Sequence, residues 1–103
     1  MIPARVLVDG EYLHIRLART KVPRQQSELY GSCLGNRARV SPGQTRENER
    51  DTVLHELLHY ICERSDVRNR FTKADEETFI SGVTPFLLQA IRENPELVAY
   101  LTR

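Results

Sequence analysis

Nineteen residues, Arg46 to Arg64, run without a proline or a glycine, and inside them lies the pentad His55-Glu56-Leu57-Leu58-His59. Pro42-Gly43-Gln44-Thr45 precedes the run, Thr45 is placed to cap it, and Glu47, Glu49 and Asp51 fall near its start, where acids suit a helix dipole. A chain of 103 residues is thereby committed to one long helix near its middle. Residues four apart lie about one turn apart, so His55 and His59 share a face. Successive positions turn by about 100°, which gathers Val53, Leu54, Leu57, Leu58 and Ile61 into an apolar arc with His55, His59 and Cys62 opposite. The expectation is a helix that lays its leucines on the core.

The residues before it read as strands. Asp9-Gly10 is a favoured two-residue hairpin turn, and apolar and polar residues alternate on either side of it from Val6 to Leu17, with His14 on the polar side. Residues 18–27 lack periodicity and read as an exposed loop. Glu28 to Gly35 and Arg37 to Ser41 form two further strands around Gly35-Asn36, and the strand at Ala38-Arg39-Val40 is expected at a sheet edge where an extended peptide could add.

Beyond the helix, residues 65–71 read as a loop, and Thr72-Lys73-Ala74-Asp75 is a helix-start signature. The second helix follows from Glu76 to Ile91, with Phe79, Ile80, Val83, Phe86, Leu87 and Ala90 as its apolar face. Pro85 is expected to kink or split it near Gly82-Val83-Thr84. Asn94-Pro95 then caps and starts a short third helix. Strands first and helices after predict an α+β fold: a small antiparallel sheet of about four strands, an H-E-x-x-H helix, a kinked helix and a short terminal helix. The organisation expected is one domain over 1–103, mainly β over 1–43 and mainly α over 45–103.

Charge gives little direction. The net charge is +1, although residues 1–50 carry nine Lys/Arg against five Asp/Glu and residues 51–103 six against nine. A field this weak argues against nucleic acid as a partner, and nothing approaches the length of a membrane-spanning run. The first residues lack the long apolar stretch of a secretory signal, so a cytoplasmic protein is expected. Two cysteines, Cys33 and Cys62, do not make a disulfide framework. Cys62 lies on the histidine face, where it is either a packed thiol or an additional metal ligand.

The pentad carries the chemistry. His55 and His59 at this spacing suit zinc, and Glu56 beside them can serve as general base towards a zinc-activated water. A catalytic zinc takes three protein ligands. Glu63 and Asp66 would need the chain to turn close after His59, whereas the second helix offers Asp75, Glu76 and Glu77. Projecting its apolar face backward puts Glu76 near the centre and Glu77 about 100° towards solvent, so Glu76 is the expected third ligand. Glu77, Asp75 and Asp66 stay as alternatives, and all three acids of the helix start also suit its dipole. Tyr60 and Tyr30 are candidate oxyanion donors or packed aromatics, and Asp51 either orients His55 or simply starts its helix.

An H-E-x-x-H helix followed by a glutamate-bearing helix resembles the small zinc metallopeptidases of gluzincin type. The likeness is greatest to minimal bacterial and phage-associated forms such as the ImmA/IrrE-like repressor-cleaving domains. It covers mainly residues 37–92 and is specific at the pentad. The resemblance implies a zinc peptidase acting on a peptide or protein substrate, with His55 and His59 as ligands, Glu56 as catalytic base and Glu76 as the glutamate ligand. Against it stands a non-catalytic reading, a zinc-stabilised module that binds protein or nucleic acid, for which Cys62 would close the coordination sphere. The pentad also permits hydrolysis of a non-peptide amide. Substrate and oligomeric state are not encoded in any readable motif.

Overall fold

The computed structural model describes residues 1–19 and 31–103. Four strands come first, β1 (Arg5–Val8), β2 (Glu11–Leu17), β3 (Gly31–Leu34) and β4 (Arg37–Val40), and three helices follow, α1 (Arg46–Arg64), α2 (Lys73–Glu93) and α3 (Pro95–Thr102). The fold is α+β. The loop expected over 18–27 and the first residues of the third strand lie largely outside the described residues.

Local turn chemistry sets the two hairpins. Asp9 and Gly10 both take positive φ, +50° and +79°, so β1 and β2 are joined by the tight turn that suits right-twisted strands. Gly35, at φ +59°, turns β3 into β4. The sheet order is β1-β2-β4-β3, with antiparallel outer pairs and a parallel central pair, β2 with β4. The four-stranded sheet is therefore mixed rather than wholly antiparallel. Among the described strands β4 is interior, and the edge beside the helices belongs to β3, a correction to the expectation for Ala38-Arg39-Val40. Ala38 and Val40 are buried at alternate positions, a pattern that suits an interior strand.

Helix α1 packs across β2, β3 and β4 on one side and against α2 on the other. Thr45 caps it, accepting from the Asn48 amide at 3.1 Å. The face laid on the sheet shares only Val53 and Leu57 with the expected arc: its most buried residues are Thr52, Glu56 and Tyr60, spaced four apart, with those two flanking them against the core of Leu13, Ile15, Ala38 and Val40. Leu54 and Leu58 are half-buried and Ile61 is exposed. Thr52 is tolerated there because its hydroxyl reaches the Asn48 carbonyl at 2.8 Å and the Gln44 side chain at 3.0 Å.

A 3₁₀ turn at Asp66–Asn69 leads to α2, whose cap Thr72 accepts from the Asp75 amide at 3.1 Å. Pro85 sits inside α2 without splitting it. The inward row is Glu77, Ile80, Thr84 and Leu88, whereas Phe79, Phe86 and Leu87, expected on the buried face, are exposed. Pro95 opens α3 as expected, but the Asn94 side chain donates back to the Ala90 carbonyl at 2.9 Å instead of capping forward. None of the helices is long and apolar enough to cross a membrane among the described residues.

Candidate metal centre

The site forms where the histidine face of α1 meets the first turn and a half of α2. His55 Nε2 and His59 Nε2 lie 3.2 Å apart, and Glu77 Oε1 is 3.2 Å from the first and 2.8 Å from the second. Zinc bonds of about 2.0–2.1 Å in tetrahedral geometry separate neighbouring ligand atoms by about 3.3 Å. The three donor atoms thus sit close to the corners of one face of a tetrahedron. They form the one such group of histidine and carboxylate donors among the described residues, and each of its residues is half-buried.

No protein-family model, curated protein or solved structure matches this chain.

Glu76 takes a different place from the one expected. Its Oε2 lies 2.7 Å from His59 Nδ1, on the far side of the imidazole from the converging atoms. The expectation placed Glu76 at the centre of an apolar face drawn through Phe79 and Phe86, and those rings are exposed. With Ile80 and Thr84 facing α1 instead, the helix is rotated so that Glu77 points between the histidines. A sequence signal for this existed in Ser81, one turn after Glu77, whose hydroxyl donates to Glu77 Oε2 at 2.7 Å and leaves Oε1 towards the histidines.

The electrostatics follow from these contacts. Burial pulls the His59 pKa down, but the hydrogen bonds to Glu76 and Glu77 and the charges of Glu56 and Glu77 outweigh it, and the net shift is above the usual histidine value. Burial alone would raise Glu77, yet the Ser81 hydroxyl and the two imidazoles hold its carboxyl below the ordinary range. Glu77 is thus kept as an anion, the form a metal requires.

Glu56 does not stand with the ligands. It is 3% exposed and lies on the sheet-facing stripe beside Gly31, the first residue of edge strand β3. Its charge reaches His59. Tyr60, on the same stripe, is packed into the core, which gives it a packing role, and Tyr30 lies outside the described residues. Asp51 makes no hydrogen bond to His55 among the described residues and instead lines a shallow cleft with Glu47, Pro85, Leu88 and Arg92. Asp66 and Asp75 are exposed and do not belong to the group. Cys62 is half-buried and stands outside it, its thiol pushed up by burial and by the Glu76 charge.

Proposed function

We propose that this chain is a zinc-dependent metallopeptidase in which His55, His59 and Glu77 hold the ion and Glu56 is the general base. The observation that carries it is the convergence of three donor atoms, from two helices, at spacings of 2.8 to 3.2 Å. Zinc bound there would act as a Lewis acid, activating a water and polarising the carbonyl under attack.

The protein's own groups then have distinct tasks. Glu56 takes the proton of the attacking water and returns it to the leaving amine. Glu76, by accepting from His59 Nδ1, fixes the tautomer that turns the Nε2 lone pair towards the ion. Ser81 holds the far oxygen of Glu77 and so orients the near one. Among the described strands β3 is the edge that begins, at Gly31, beside Glu56, and it would offer backbone groups with which an extended peptide can pair.

The acid favours an enzyme over a structural zinc module. A structural site fills its fourth position with Cys or His and has no use for a carboxylate one residue after its first ligand, and Cys62 lies outside the donor group. Glu56→Gln should bind one zinc per chain and lose hydrolysis of a casein-derived peptide library. A Glu56→Gln protein that hydrolyses at the wild-type rate would sink this mechanism.

A further inference from the structure

The geometry points to Gly31 as a positioning residue for Glu56. Gly31 is buried at the start of β3, where that strand passes under α1. A Cβ added there would lie 2.6 Å from Thr52 Cγ2, 3.0 Å from the Arg39 carbonyl oxygen and 3.2 Å from Glu56 Oε2. The first of these distances is well inside carbon–carbon contact, which is optimal at about 3.5–4.0 Å. The helix can approach the strand this closely because residue 31 has no side chain.

What gives way on adding a methyl determines the consequence. The Arg39 carbonyl belongs to the strand paired with β3, where Ser32 is opposite Arg39 and Gly31 opposite Val40, so moving it disturbs the ladder. Turning Thr52 aside breaks its hydroxyl's bonds to Asn48 and Gln44. The remaining routes are a retreat of α1 from the edge strand or a swing of the Glu56 carboxylate, and both move the base. A retreat of α1 would carry His55 and His59 with it, whereas a swing of the Glu56 carboxylate leaves them on the contacts they make with Glu76 and Glu77, so the swing is the route that moves the base alone. By that route Gly31 sets the position of the base against the substrate-pairing edge while leaving the metal's donors in place. Nothing about its φ requires glycine; the requirement is the close approach.

The inference rests on the peptidase reading, and the experiment separates the two. Gly31→Ala, loaded with zinc, should retain one ion per chain and an unchanged KM for the casein-derived peptides, while kcat falls by about 10- to 100-fold, as expected for a displacement of about 1 Å. Thr52→Ser removes the methyl at 2.6 Å and keeps the hydroxyl, so Gly31→Ala combined with Thr52→Ser should recover most of the lost kcat. A second readout needs no turnover: acetohydroxamate presents an O–H to a base beside the metal, and its affinity should fall in Gly31→Ala and return in the double variant. Wild-type kcat and hydroxamate affinity in a folded Gly31→Ala protein overturn the positioning role alone. A zinc-loaded wild type that cleaves none of the peptides overturns both readings.

Discussion

Glu76 and Glu77 are neighbours of identical chemistry, and the helix turns them to opposite sides of one imidazole. Glu77 Oε1 lies 2.8 Å from His59 Nε2 and Glu76 Oε2 lies 2.7 Å from His59 Nδ1. The two should therefore fail differently. Glu77→Ala removes a donor atom and is expected to abolish stoichiometric zinc, as is His59→Ala. Glu76→Gln keeps a hydrogen-bond partner for His59 without the charge, and should weaken zinc by about 10- to 100-fold while leaving the site able to fill. Competition with a chromophoric chelator measures both, and the reverse ranking would return Glu76 to the ligand set. Cys62 supplies a check of another kind. Burial and the Glu76 charge keep its thiol protonated to higher pH than usual, so alkylation by iodoacetamide should be slow near neutrality and quicken only as pH rises. Fast labelling at neutral pH would contradict the surroundings described.

At the scale of elements, the parts that were legible in the sequence are those written locally. Asp9-Gly10 and Gly35-Asn36 specify their turns, and Thr45 and Thr72 specify their helix starts, because each acts within four residues. The pairing of β2 with β4 was not legible, since it joins His14 to Arg37 across residues with no patterned signal. The faces of α1 and α2 were hidden for another reason. Both helices bury polar residues, Thr52 and Glu56 on one and Thr84 on the other, and the two threonines satisfy their hydroxyls on carbonyls of their own helices. A hydrophobic arc drawn by residue type is therefore offset from the packed face and shares with it only residues such as Val53, Leu57 and Ile80. The pentad needed no such inference, and its histidines meet as spacing demands. The two caps offer a test at this scale. Thr45→Ala and Thr72→Ala should each cost about 1 kcal/mol in urea unfolding. Thr72 also fixes the turn that carries Glu76 and Glu77, so its loss alone should weaken zinc beyond the shared loss of stability. Equal zinc affinities in the two variants would separate the cap from the site.

For the whole molecule, the candidate metal centre is also a joint. Helix α2 buries only Ile80 and Thr84 fully and α3 buries no residue fully, while Phe79, Phe86, Ile91, Tyr100 and Leu101 stand exposed, so this half leans on few apolar contacts. Beside Ile80 and Thr84, what ties it to α1 among the described residues is the polar group at His55 and His59, together with the exposed Arg92–Glu47 pair at the opposite end. An ion bound across the joint should stabilise the protein by about 2.7 kcal/mol at free zinc 100 times its dissociation constant. In a chain of this size that is a rise in melting temperature on the order of 10–20 °C. The gain should depend on pH with a definite sign. In the metal-free protein the raised His59 pKa contributes stability that is fully present below the unfolded value and is lost as pH rises through the folded one. Zinc needs the neutral imidazole, so its contribution moves the other way and grows over the same range. The gap between melting curves with zinc and with chelator should therefore widen from about pH 6 to about pH 8. Hydrogen exchange under both conditions should place the added protection in residues 73–102 and in the α1 segment around His55. A gap that stays constant with pH would remove His59 from the ligands, and protection spread evenly over the sheet would deny the site its role as the joint between the halves.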